Sequence, residues 1–142
     1  MTAIVAESAA EAGRRKPWVV QYAPCSVGAD GKVARRAVKR TIGKTLSLLW
    51  PAGDEWPLRR EAVVAESGIP RPEFVDALGR LRRGEDTASV LDERYVAAFA
   101  IAGTPSECRR QAALYRAAGV DELALSLGNA EDIAALSQWS GT

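Results

Sequence analysis

The chain has 142 residues, 47% of them apolar and 26% charged, and its 19 Lys and Arg against 18 Asp and Glu leave a net charge of +1. These proportions belong to an ordinary water-soluble domain long enough to bury a core, and so small a net charge gives no whole-molecule attraction for nucleic acid. Histidine is absent and Cys25 and Cys108 are the only cysteines, which excludes Ser-His or Cys-His catalysis within this polypeptide, the usual zinc sites and a disulfide framework. Both cysteines read as small buried hydrophobes. Any acid or base must then be a shifted carboxylate, cysteine, tyrosine or lysine. No run reaches the roughly 20 apolar residues that span a bilayer, and Glu7 interrupts the short apolar stretch near Met1, so neither a membrane span nor a secretory signal is expected and the default location is cytoplasmic.

In chain order, Thr2–Glu11 is Ala-rich, amphipathic and helical in character, more like the middle of a domain than its start. Trp18–Ala23 is rich in β-branched and aromatic residues between Pro17 and Pro24 and reads as a strand, carried to Ser26, with Pro24–Gly31 as the following loop. Lys32–Trp50 keeps Ala34, Val38, Ile42, Thr45, Leu46 and Leu49 on one helical stripe. Pro51–Pro57 is a turn-rich break. Helices are expected at Leu58–Ser67 and Pro72–Arg83, a polar linker at Gly84–Ser89, and a helix over Val90–Ala98 with Tyr95 and Phe99 facing inward.

Farther on, Thr104 is a candidate N-cap, Pro105 suits the first helical position, and Glu107 completes a capping box. Cys108, Ala112, Tyr115 and Ala118 share one stripe of that helix, Gly119 can turn left-handed past its end, and Leu123, Leu125 and Leu127 alternate as a buried strand over Val120–Leu127. Ala130–Trp139 reads as a last helix with Glu131 and Asp132 in its acidic first turn. Helix, tight turn and strand make one unit of an α/β fold.

The run Gly103-Thr104-Pro105-Ser106-Glu107 followed by Ala118-Gly119-Val120-Asp121-Glu122 resembles the closing segment of the luciferase-like monooxygenase family. Ala12-Gly13-Arg14 with Pro17 resembles that family's turn before a late barrel strand, and Ala34-Arg35-Arg36-Ala37 the start of its long following helix. The motifs are individually common; their order and spacing carry the likeness over most of the chain. The resemblance implies the C-terminal portion of a TIM (β/α)8 barrel, helix-rich, with two parallel barrel strands at 18–26 and 120–127 and a helical insert at 52–86, forming a single incomplete barrel domain over 1–142. A whole barrel needs on the order of 200–250 residues. The implied chemistry is hydride transfer or monooxygenation with coenzyme F420, a deazaflavin, or FMN, acting on a small-molecule substrate. This chain alone is expected to be inactive, and a homo-oligomer or partner chain is expected to complete the barrel.

Barrel chemistry collects at the C-terminal ends of the strands. Cys25 and Ser26 after the first strand, and Ser126, Gly128 and Asn129 after the second, are therefore the candidate cofactor-binding residues; catalytic residues are not assignable and no metal ligands are expected. The Trp50-Pro51 and Trp56-Pro57 pairs suggest an apolar lid over a flat ring. The remaining feature is a basic cluster of Arg14, Arg15, Lys16, Lys32, Arg35, Arg36, Lys39, Arg40 and Lys44 around one acid, Asp30. It reads as the solvated face of a helix. The alternative is a helix-rich binding protein that contacts nucleic acid or an acidic partner through the basic helix 32–44.

Overall fold

The computed structural model describes residues 2–50, 58–128 and 130–137. Three strands form one parallel sheet, with β1 (Val20–Val27) between β2 (Ile101–Gly103) and β3 (Glu122–Leu127). The register runs from Val20 opposite Glu122 to Cys25 opposite Leu127 on one side of β1, and from Cys25 opposite Ile101 to Val27 opposite Gly103 on the other. The two strands expected from the sequence are thus neighbours that point the same way. The third, β2, is three residues long, too short for any periodicity to reveal.

The order of the strands fixes where the helices lie. The crossover from β1 to β2 and the crossover from β2 back past β1 to β3 run in opposite directions, and right-handed crossovers then place their helices on opposite faces of the sheet. One face carries α7 (Pro105–Ala117) and α8 (Ala130–Ser137). Ala23, Cys25 and Val27 of β1 and Ile101 of β2 pack there with Cys108, Tyr115, Leu123, Leu125, Leu127, Ala135 and Leu136. The other carries α2 (Gly31–Leu49), α3 (Leu58–Ser67), α4 (Arg71–Arg82), α5 (Thr87–Val90) and α6 (Glu93–Phe99), joined to the sheet through Ala100 and Ala102. The first helix, α1 (Thr2–Glu11), precedes the sheet.

Pro24 does not begin a loop; it lies inside β1. Successive residues of a parallel strand turn their backbone groups to alternate sides. Gly28 N–H donates to the Gly103 carbonyl, so even-numbered positions of β1 face β2, and β2 begins only opposite Cys25. The nitrogen of Pro24 therefore points at a stretch of edge with no partner strand, where a missing N–H does no harm.

Asp30, with its extended backbone, caps α2 by accepting from the N–H groups of Lys32 and Val33. Along α2, Ala34, Val38, Ile42 and Leu46 form the buried stripe, and Trp50 at its end is buried as well. The Trp50 ring stands 5.3 Å from that of Phe74, which is in turn 5.8 Å from Tyr95 and 6.0 Å from Phe99. Trp50 is thus the core of the helical layer, not half of a lid. Pro51, Trp56 and Pro57 lie outside the described residues.

The expected linker at 84–89 contains the start of α5, whose four residues are too few for an apolar period. It docks where α2 has no side chain: a Cβ on Gly43 would come within 2.7 Å of Thr87 Cγ2. The helix expected over 90–98 is broken at Leu91-Asp92, because Asp92 caps α6 through the Arg94 N–H. Among the described residues the expected strand and helix ends otherwise shift by at most two residues; the expected end of the last helix at Trp139 lies outside them.

At the junction of β2 and α7 the capping box forms as the sequence requires. Thr104 Oγ1 accepts from Glu107 N–H at 3.3 Å, and Thr104 N–H donates to Glu107 Oε2 at 2.7 Å. Gly103 has φ of 140°, and a Cβ there would overlap Glu107 Oε2, so only glycine lets the cap close. Thr104→Ala is expected to cost about 1 kcal/mol in urea unfolding. The Thr104 N–H, and after it Arg35, hold the Glu107 carboxyl below the usual range. A carboxyl whose folded pKa lies below its unfolded value stabilises the fold fully above the unfolded pKa, about 4.3, and loses that contribution as pH falls through the folded value. Glu107→Gln should accordingly flatten the acid limb of a melting-temperature profile measured from neutral pH downward.

Candidate functional site

Three elements deliver the sequence-marked residues to one end of the sheet. In register, Pro24 lies opposite Ser126 and Cys25 opposite Leu127, so the last residues of β1 and β3 converge there with Gly128 just beyond. A Cβ on Gly128 would lie 3.6 Å from Thr41 Oγ1 of α2. The helical layer therefore reaches the C-terminal end of β3, although α2 is separated from it by most of the chain.

The candidates differ in what they present. Cys25 turns its side chain into the core against Cys108 and α7, with almost no exposed surface. Burial, then the neighbouring Cys108 and Asp132, push its thiol up to about 12; burial likewise pushes Cys108 up to about 11. Both should resist a thiol-specific disulfide reagent in the native protein and react together on unfolding, a result read directly from labelling with and without urea. Ser26 is buried, and its hydroxyl donates to Asp132 Oδ1 at 3.1 Å. Ser126 and Gly128 are exposed, and Asn129 lies outside the described residues.

Asp132 is the residue that sequence reasoning reads only as a favourable charge at a helix start. Odd-numbered positions of β1 face β3, but β3 ends at Leu127 opposite Cys25, which leaves the Val27 N–H without a strand partner. Asp132 Oδ1 accepts that N–H at 3.0 Å together with the Ser26 hydroxyl. The first turn of α8 thereby stands in for the missing continuation of β3.

At the opposite end, Asp121 accepts from the Val19 N–H at 2.9 Å and pairs with Lys16 at 3.1 Å. The Val19 N–H, and then Lys16, hold its carboxyl below the usual range. This clasp joins the start of β3 to the approach of β1 and fixes the register that places Ser126 beside Pro24.

The face of β1 and β3 away from α7 and α8 carries Val20, Tyr22 and Pro24 beside Glu122, Ala124 and Ser126. The helical layer covers its C-terminal part and leaves Tyr22 77% exposed. Trp18, 69% exposed, donates its indole N–H to Glu122 Oε2 at 3.1 Å. The result is a flat, mostly apolar platform that leads to the strand ends, and Tyr22 and Thr41 belong to it although neither carries a motif.

The basic face of α2 is not all solvent. Arg35 pairs with Glu93 and Glu107, and Lys39, buried, pairs with Glu93 at 3.1 Å. These two cations tie α2 to α6 and α7, while Lys32, Arg36, Arg40 and Lys44 remain exposed.

No group of three or more His, Cys, Asp or Glu that could hold a metal occurs among the described residues. The shifted thiols and the phenol of Tyr95, pushed up by burial to about 12, all move away from neutrality. The site offers shape, apolar contact and backbone polarity rather than a resident acid or base. No helix among the described residues is long and apolar enough to cross a membrane.

Parallel strands with their C-terminal ends gathered under a helical layer define an α/β protein of partial TIM-barrel type. The model of the luciferase-like monooxygenase family matches residues 1–122, and the chain belongs to that family. Among solved structures, it is similar to the coenzyme F420-dependent tetrahydromethanopterin reductase of Methanopyrus kandleri, with 21% identity and a TM-score of 0.75 over 96% of this chain. The chain spans 39% of that reductase's length. No curated protein sequence matches it.

Proposed function

We propose that this chain is the C-terminal part of an oxidoreductase that transfers hydride, or inserts oxygen, with a reduced deazaflavin or flavin bound against the C-terminal ends of β1 and β3. The observation that carries the reading is the parallel register that sets Ser126 beside Pro24 and brings Gly128 against Thr41 of α2. The platform fits such a group: Tyr22, Val20 and Ala124 supply apolar surface for a planar ring, and Ser126 and Thr41 supply hydroxyls at its rim. When bound, the ring supplies the two-electron chemistry for which this chain has no side chain of its own. The residues of the chain bind and orient it, and the helical layer α2–α6 screens it from water. Deazaflavin is preferred over FMN because the reductase of similar fold depends on coenzyme F420.

The substrate is a small molecule admitted at the same mouth. Remaining barrel strands come from outside residues 1–142, and turnover requires them. Nucleic acid is not a ligand in this reading, since Arg35 and Lys39 are already engaged by Glu93 and Glu107. The location is cytoplasmic.

Titration of the protein with coenzyme F420 and with FMN, followed by ring fluorescence, and with duplex DNA at two salt concentrations, tests this. Saturable ring binding that Ser126→Trp abolishes and Arg40→Glu leaves alone is expected. Failure of either ring to bind, with DNA binding that weakens steeply with salt, would overturn it.

A further inference from the structure

Three close approaches trace the path of α2 past the sheet. A Cβ on Gly31 would lie 3.4 Å from the Thr104 nitrogen, just past the end of β2. A Cβ on Gly28, just past the end of β1, would lie 3.9 Å from Ala34 Cβ, and one on Gly128, just past the end of β3, 3.6 Å from Thr41 Oγ1. Positions 31, 34 and 41 of the helix thus meet β2, β1 and β3 in the order in which those strands lie side by side. Helix α2 crosses the C-terminal ends of all three. Residues Ile42–Leu49 then carry it about 12 Å past β3. Neighbouring strands are about 4.8 Å apart, so this overhang has the length to cross the ends of about two more. Strands that complete the barrel therefore place the overhang over its mouth, where barrel chemistry collects.

Charged groups held at this end of the sheet are largely matched within the protein. Glu107 is engaged by the Thr104 N–H and Arg35, and Asp132 by the Ser26 hydroxyl and the Val27 N–H. Arg35 and Lys39 also pair with Glu93. Lys44 differs: it stands on the overhang, exposed, and makes no ion pair among the described residues. It follows Thr41 by three positions, which sets it one turn on and only about 60° around the helix from the residue that faces Gly128.

We infer that Lys44, with the Thr41 hydroxyl one turn before it, holds an anionic group, a phosphate or a carboxylate, of a molecule bound at this mouth. An ammonium without a protein counter-ion is free to make charge-assisted hydrogen bonds to a ligand, and these are about twice as strong as neutral ones. Gly128, having no side chain, leaves the approach to Thr41 open at the strand end. The group belongs either to the ring or to a separate substrate. The inference rests on the oxidoreductase reading for what occupies the mouth; the position of Lys44 does not.

Titration of the whole chain with inorganic phosphate at constant ionic strength, followed by backbone amide chemical shifts, tests the site without a ring. Saturable shifts centred on Thr41, Lys44 and Gly128 are expected. Lys44→Gln should weaken phosphate binding about tenfold, whereas Arg36→Gln, which removes the same charge two turns earlier on α2, should change it less than about twofold. Shifts that never saturate, or an equal response to the two variants, would overturn the inference. Riboflavin and FMN, which share a ring and differ by a phosphate, then separate the two sources. If the ring carries the group, FMN binds more tightly than riboflavin and Lys44→Gln removes the difference. If a separate substrate carries it, both bind alike and inorganic phosphate still binds beside riboflavin. Phosphate binding at Lys44 with no binding of FMN, riboflavin or coenzyme F420 would uphold the site and count against the oxidoreductase reading instead.

Discussion

Phe74→Ala is expected to destabilise the protein by about 3–5 kcal/mol, a large share of the roughly 5–15 kcal/mol that holds a domain of this kind folded. Phe74 has no exposed surface and its ring is the common neighbour of Trp50, Tyr95 and Phe99, so it joins the end of α2 to α4 and α6. Truncation leaves a cavity bounded by the Trp50 ring at the end of α2 and the Tyr95 and Phe99 rings of α6, none of which can collapse into the space without leaving its own packing. The loss should appear as a lower urea midpoint and an early loss of tryptophan fluorescence change on unfolding. A drop below about 1 kcal/mol would mean that the helical layer is not held together through this residue.

The second large effect falls on Asp132. Asp132→Ala leaves the buried Ser26 hydroxyl and the Val27 N–H without the acceptor they share, and an orphaned buried donor costs about 1–3 kcal/mol, so a loss of about 2–4 kcal/mol is expected. Asp132→Asn keeps an oxygen in place and should recover much of it. Amide hydrogen exchange separates this from a general loosening: the Val27 amide should exchange far faster in the alanine variant, while Ala23, deep in the ladder between β1 and β3, should keep its protection. Equal acceleration at both positions would assign Asp132 only a diffuse role.

Much of this arrangement is legible before any coordinates. Thr104, Pro105 and Glu107 specify a helix start by local hydrogen bonding alone, and the structure contains that cap. Leu123, Leu125 and Leu127 specify a strand because their period is two, although in the structure their face of β3 is half-buried, not buried. Gly119 ends α7 with φ of 90°, as its position implies. These features depend on neighbours in sequence.

What was not legible depends on neighbours in space. Pro24 sits inside a strand because β2 starts one residue too late to need its N–H, and β2 itself is three residues that only the register with β1 makes into a strand. Arg35 and Lys39 look like solvent-facing cations on α2 until Glu93 and Glu107 arrive from distant segments. Trp50 next to Pro51 suggests half of an apolar lid until Phe74 stands beside it. For the candidate site, the sequence marks the strand ends, but what buries Cys25 and Ser26 and leaves Ser126 and Gly128 exposed is distant in sequence: Cys25 packs against Cys108 of α7, and Ser26 is held by Asp132 of α8. Tyr22 enters the site only because the helical layer stops short of it.

The claim on which the rest depends is that β1 lies between β2 and β3 with all three strands pointing the same way, so that Ser26, Gly103 and Gly128 mark one end of the sheet. Nuclear Overhauser contacts between backbone protons test it most directly. The expected map links Val20 with Glu122, Tyr22 with Ala124 and Cys25 with both Leu127 and Ile101, the partners advancing together along the sequence. A map in which partner numbers fall as those of β1 rise, or in which residues 20–27 and 122–127 show no mutual contacts, would contradict it and remove the site with it.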